Sequence, residues 1–264
     1  MNDLTAACDR LDAAIAADTL TRRRWTAEEQ GRHLACLLAA MVPKCGERET
    51  SDACPATVIP EWLAHLTPWI DDAGSQDRWP GVVREYACLL RASVALSSEQ
   101  CQRLDFACRA VAVREERDQI SKNAQIGKKA QRIAAIDAVL ELLDHASAGG
   151  MVSDQEWVAA RAAAPAEAWE AVRPAAAAAA ASSSSTMAAK RAAADVASAA
   201  MRAAADVASA AMRASADVAS AADVADVERA SEMASEMASD RMIDGIFTAW
   251  RTVIRETVNS SARQ

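Results

Sequence analysis

The stretch AAADVASAAMR, residues 192–202, recurs unchanged at residues 203–213 and with drift from residue 214. Eleven residues fill almost three turns of α-helix, so each unit sets the same residue types on the same side of one rod. On a wheel advancing about 98° per residue, Asp195, Ser198 and Arg202 share a polar arc of about 70°. Around the far side run Ala193, Val196, Ala197, Ala200 and Met201, continued in the next unit by Ala204, Val207 and Met212. The middle of that face is flat alanine between a valine ridge and a methionine ridge, a shape that admits a second helix backbone at close range. The repeat therefore predicts an all-α chain whose Ala-rich arm, a hendecad helix or helical hairpin, follows an N-terminal helical bundle.

The wet side of the rod carries one ion pair per unit, because Arg191, Arg202 and Arg213 each precede an aspartate (Asp195, Asp206, Asp217) by four positions. Base before acid is the weaker order and gives only a few tenths of a kcal/mol per pair, enough for solubility and too little to hold a lone helix. After Ser220 the register breaks, and residues 231–239 read SEMASEMAS. No Gly or Pro lies between Thr186 and Asp244, and a straight helix of that length reaches about 85 Å. A 150-residue domain is only about 35–40 Å across. The arm is thus expected either to fold back near residues 221–226 or to lie against another copy or another protein. Beyond it, Met242, Ile246, Phe247, Trp250, Val253 and Ile254 form one stripe of ordinary core chemistry that needs a docking surface. The expected organisation is a globular helical domain at 1–150, a connector with poly-Ala and Ser-rich breaks at 151–185, and the arm at 186–264.

Composition limits what such an object does. The 264 residues carry 29 Lys+Arg against 37 Asp+Glu, a formal net charge of −8 with the signs mixed along the chain. That pattern argues against nucleic acid and anionic membranes as partners. All seven cysteines precede residue 110, in an odd number and with no disulfide-like spacing, and the first residues lack the apolar core of a secretory signal. Free thiols in a reducing cytoplasm are the expectation.

In the N-terminal part, helices are expected at residues 4–20 and, from a Thr26-Ala27-Glu28-Glu29 capping box, through Leu34, Cys36, Leu37, Leu38 and Met41. Residues 43–60 read as irregular. A helix from Pro60 carries Trp62, Leu63 and Leu66, Thr67-Pro68 opens a further short turn, and Asp71-Asp72 with Gly74 ends it at an exposed terminus. Later helices start near Gln76 and at the Ser97–Gln100 box. Another runs from Lys128 to His145, with a stop at Gly149-Gly150 and a new box at Ser153–Glu156.

Few groups are available for chemistry. His33, Cys36, Cys45, Cys54 and His65 are the candidate metal set, but only His33 and Cys36 have the close spacing that structural zinc sites use. Glu61 with His65, or Asp71 and Asp72 with His65, are the conceivable acid–base sets, and no phosphate loop, nucleophile elbow or HExxH is present. The reading assigns no catalytic, cofactor or metal site and no small-molecule substrate. The most idiosyncratic patch is Trp62, Trp69 and Trp79 among Pro55, Pro60, Pro68 and Pro80. It reads as an aromatic mini-core or as a partner-binding surface, since tryptophan is enriched in binding hot spots and rigid turns pre-organise it.

The stretches RHLACLLAAMVPKC (32–45) and ACPATVIPEWLAHLTPWIDDAGSQDRWPGVVREYACLLRA (53–92), followed by an Ala-rich repeat, resemble a group of uncharacterised bacterial and phage all-helical proteins of high-GC genomes. The Ala repeat is also similar to that of immunity proteins in polymorphic toxin systems, which pair a helical head with Ala arrays. Neither likeness carries a residue role onto this chain. What the two imply is a non-catalytic helical interaction protein, immunity-like or a phage accessory, that binds a protein partner or self-associates through the arm. A structural rod is the alternative, and a metal-binding protein or enzyme using the His33–His65 region is the third.

Overall fold

A computed structural model of the chain describes residues 2–122, 129–153, 155–156, 159–160 and 221–261. Helices hold 74% of this and strands 5%, so the described part is mostly α-helical, as expected, with one small two-stranded sheet. The helix-packing face proposed on the repeat (Ala193, Val196, Ala197, Ala200, Met201, Ala204, Val207, Met212) lies outside the described residues. The described helices are α1 (Asn2–Ala16), α2 (Leu37–Met41), α3 (Pro43–Arg48), α4 (Glu61–Asp72), α5 (Trp79–Ala92), α6 (Ser98–Lys122), α7 (Lys129–Ser147) and α8 (Ala221–Ser261). They fall into two compact units, Met1–Asp105 with Ile246–Gln264, and Phe106–Gly245.

The strands correct the reading of Thr26–Glu29 as a helix start. Thr26–Glu29 (β1) and Arg32–Ala35 (β2) pair antiparallel, with Thr26 opposite Ala35 and Glu29 opposite Arg32. The turn decides it. Gln30 and Gly31 both have positive φ (52° and 74°), the twist that a two-residue hairpin loop requires and that no helix interior tolerates. Thr-x-x-Glu is ambiguous in sequence, and here Glu28 serves as a cross-strand partner, its Oε1 lying 3.1 Å from His33 Nδ1. The backbone N–H of Ala35 then donates to Thr19 O (3.0 Å) and that of Cys36 to Trp25 O (2.9 Å), so the hairpin ties the end of α1 to the start of α2. The stretch read as irregular, 43–60, contains α3 and a 3-10 turn, Ser51–Ala53.

The core of the first unit gathers Leu11, Leu37, Leu38, Met41, Ile59, Ile70, Tyr86, Leu90, Phe247 and Trp250, all essentially inaccessible. The C-terminal stripe is therefore core. Trp250 Nε1 donates to Ser93 Oγ at 2.6 Å, and its ring stands edge-on to Tyr86 at 5.8 Å and 88°. Such an aromatic pair adds about 0.5–1.5 kcal/mol beyond the area it buries.

In the second unit α6 and α7 close an apolar seam of Phe106, Ala110, Val113 and Ile120 against Ile136, Val139, Leu140, Leu143 and Ala146. Ion pairs from Arg114 to Asp144 and from Arg117 to Asp137 rise on one helix as they fall on the other, so the two run antiparallel. The early part of α8 also runs antiparallel to α6, with Arg241 Nη2 on Glu115 Oε1 (3.0 Å) and Gly245 facing Val111. The Ser97–Gln100 and Ser153–Glu156 boxes form as expected. Gly149, at φ 90°, ends α7 while Gly150 N–H reaches back to His145 O.

Candidate functional site

Helix α4 carries two of the three tryptophans singled out in the sequence. Pro60 sets its N-cap and Glu61 places a carboxylate in the first turn, where the helix dipole favours it. Leu63, Ala64, Thr67, Ile70 and Asp71 are buried, whereas Trp62, His65, Leu66 and Trp69 are half-buried. The second set recurs at i, i+3, i+4 and i+7, which makes it one stripe along the helix. Trp62 and Trp69 are thus each partly accessible at the surface.

The helix does not break at Thr67-Pro68, as the sequence suggested, but runs through Pro68 to Asp72. Proline removes one backbone donor there. The preceding turn is held instead by the Thr67 hydroxyl, which donates to Leu63 O at 2.7 Å and lies 2.6 Å from Tyr86 Oη.

Nor is the end of α4 an exposed terminus. Asp71 is 1% exposed. Its Oδ2 accepts from the Leu37 N–H (3.1 Å) at the first turn of α2, and its Oδ1 accepts from Trp79 Nε1 (2.8 Å). Burial outweighs these bonds and pushes the Asp71 carboxyl up to about 7. Trp79 is therefore placed by its indole N–H against the same helix that carries Trp62 and Trp69. Outside this core, Arg22 collects the carbonyls that a helix end leaves unpaired. Its guanidinium donates to Asp71 O (2.9 Å), Asp72 O (3.1 Å), Ala73 O (2.7 Å) and Gly74 O (2.6 Å) and to Gln76 Oε1 (2.9 Å). Sequence reading missed Arg22. Three arginines in a row look like a solvated run, and only the fold brings α4 within reach.

The candidate metal set separates into different tasks. His33 is exposed on the hairpin beside Glu28. Cys36 Sγ caps α2 by accepting from the Ala39 N–H at 3.4 Å. His65 Nδ1 lies 2.7 Å from Ser51 Oγ and its Nε2 lies 3.7 Å from Asp52, so it fastens the 3-10 turn and faces neither Asp71 nor Asp72. Cys45 is buried within α3, and Cys54 Sγ donates to Pro55 O at 3.8 Å at the end of the 3-10 turn. Among the described residues no three His, Cys, Asp or Glu side chains converge as metal ligands, and no helix is long and apolar enough to cross a membrane.

A concavity of about 390 Å³ opens beside the hairpin, walled by Thr19, Thr26, His33, Ala39, Pro43 and Glu47 among others. Its walls are mainly small apolar groups with few convergent polar atoms, unlike the sparse but aimed polar set that orients a small ligand. No family model matches this chain, and neither does any curated protein or solved structure.

Proposed function

We propose that this protein is a non-catalytic interaction module that binds another protein through the tryptophan stripe of α4. The observation that carries the proposal is the partly exposed row Trp62, Leu66 and Trp69 on a helix whose end is locked by Arg22 and Asp71. Large, partly buried aromatic side chains lose little entropy on binding, and this is the physical profile of a hot spot. The mixed charge around them favours a protein partner over a polyanion, and seven free thiols suit a reducing cytoplasm. An immunity-like or phage accessory role is the form that the sequence resemblance lends to this module.

A photo-crosslinking amino acid at position 62 or 69, in cells that produce the protein, is expected to trap one defined protein that the same probe at exposed Cys88 does not. With that protein purified, Trp69→Ala should weaken binding by at least about thirtyfold, the scale of a 2 kcal/mol hot spot. Equal trapping from positions 62, 69 and 88, or an affinity unmoved by Trp69→Ala, would remove the proposal.

A second reading, a self-associating rod, is favoured by one observation. Met233 and Met237, one turn apart on α8, are 61% and 56% exposed. Flexible thioethers on an open helix face suit helix pairing. Sedimentation equilibrium decides between the two readings: a dimer that Met233→Glu with Met237→Glu dissociates supports the rod, and a monomer leaves the module.

A further inference from the structure

We propose that Ser51 is a nucleophilic serine, primed by His65, that takes up a short acyl group from activated carboxylic esters. It is a site of covalent modification rather than of turnover, and it does not rest on the tryptophan stripe. The placement comes from two elements. Ser51 opens the 3-10 turn Ser51–Ala53, whose N-cap Thr50 accepts the Asp52 N–H on its side-chain Oγ1 at 3.2 Å. The Thr50 N–H donates to Cys45 O (3.2 Å) and the Cys54 N–H to Ser51 O (3.0 Å), so the turn is closed and tied to α3. His65 stands on the second turn of α4, between the buried residues Ala64 and Thr67. Its Nδ1 lies 2.7 Å from Ser51 Oγ and its Nε2 lies 3.7 Å from Asp52 Oδ1. Two successive residues of one turn thus address opposite nitrogens of a single imidazole, which is largely covered, its side chain 9% exposed.

That arrangement fixes where the ring carries its proton. A neutral imidazole has one N–H and one lone pair, and a carboxylate only accepts. With Asp52 beside Nε2, the N–H belongs there; the opposite tautomer would turn a lone pair towards a negative charge. Nδ1 is then the acceptor, and the Ser51 hydroxyl donates to it. A hydroxyl donating to a base that a third group orients is the general pattern of an activated nucleophile. Ser51 is only partly buried, and Asp52, Pro55, Ala56 and Thr57 around it are exposed. A turn open at the surface suits a short acyl group on a good leaving group.

With an aryl ester as donor, Ser51 Oγ bonds to the carbonyl carbon while its proton passes to His65 Nδ1. The tetrahedral adduct then breaks its bond to the aryl oxygen, and that oxygen takes the proton back from Nδ1. The products are an O-acyl serine and a phenol. Nothing is oxidised or reduced, and His65 ends as it began.

The test treats the full chain with 4-nitrophenyl acetate and follows acetylation of each serine by peptide mass spectrometry. Ser97, an exposed hydroxyl that accepts the Gln100 N–H, is the internal comparison. Ser51 should be acetylated about a hundredfold faster than Ser97, the lower range of what a positioned base contributes. His65→Gln, whose amide can still hydrogen-bond Ser51, should remove that advantage. Asp52→Ala should slow the reaction severalfold and Asp52→Glu should restore it, with the melting temperature unchanged because the Asp52 side chain is 81% exposed. The proposal is overturned if Ser51 is labelled no faster than Ser97, or if His65→Gln or Asp52→Ala keeps the wild-type rate. The wild-type map and Asp52→Ala decide the matter even if His65→Gln unfolds the turn.

Discussion

At the residue scale, Asp71 shows how burial turns an ordinary acid into a tie between three elements. In the unfolded chain its carboxyl ionises near 3.8, and in the fold near 7. The folded state therefore binds the proton more tightly, and this contribution to stability is complete below about pH 4 and is lost as pH rises towards about 7. Urea unfolding followed by tryptophan fluorescence should show stability falling by a few kcal/mol across that window once other groups are subtracted, and Asp71→Asn should flatten the slope. Asp71→Ala strands the Leu37 and Trp79 donors and should cost about 2–4 kcal/mol. Arg22 acts by shape more than by charge. Arg22→Ala should cost about 2 kcal/mol, and Arg22→Lys should not restore it, because one ammonium cannot span the four carbonyls that the guanidinium reaches. Equal melting temperatures for Arg22→Lys and wild type would contradict this account.

Among the elements, the hairpin and α8 are decided by glycine in opposite ways. Gly31 has open space around a Cβ, so Gly31→Ala meets only the backbone cost of φ +74°, about 1 kcal/mol in chemical denaturation. Gly245 lies inside α8, where alanine is intrinsically better by about 1 kcal/mol. A Cβ there would stand 2.6 Å from Val111 Cγ1. Valine is stiff at χ1 and cannot swing away at little cost, so Gly245→Ala should destabilise by about 1–2 kcal/mol. Adding Val111→Ala should return most of it, and an additive double mutant would show that the two residues do not touch. The α6, α7 and α8 stripes were legible in sequence because apolar residues at helical spacing have few other uses. The hairpin was hidden because Thr26-Ala27-Glu28-Glu29 satisfies a helix-start pattern, and its strand character rests on Gln30 taking a left-handed conformation that glutamine seldom adopts. The tryptophan patch was legible as a cluster of unusual residues. Its support by Arg22 was not, because nothing local joins residue 22 to residues 71–76.

For the whole molecule, the chain leaves its first unit at Asp105 and returns to it at Ile246, so the last residues complete a core begun by the first. Trp250 and Ser93 are 157 positions apart and share a buried hydrogen bond. Trp250→Ala should cost about 3–5 kcal/mol, while Trp250→Phe, which keeps most of the ring contact and loses the Nε1 donor, should cost about 1–2 kcal/mol. Truncation after Gly245 should strip hydrogen-exchange protection from the amides of residues 1–105, and protection retained there would refute the shared core. Helix periodicity, the Ser97 and Ser153 caps and the apolar identity of the C-terminal stripe were determined by the sequence alone, because each depends on neighbours within about one or two turns. Only the tertiary structure decided the surface on which that stripe docks, the burial of Asp71 and the capping of α4 by Arg22. Those depend on groups that become neighbours only after the chain has closed on itself, and burial, which sets their chemistry, has no local signature.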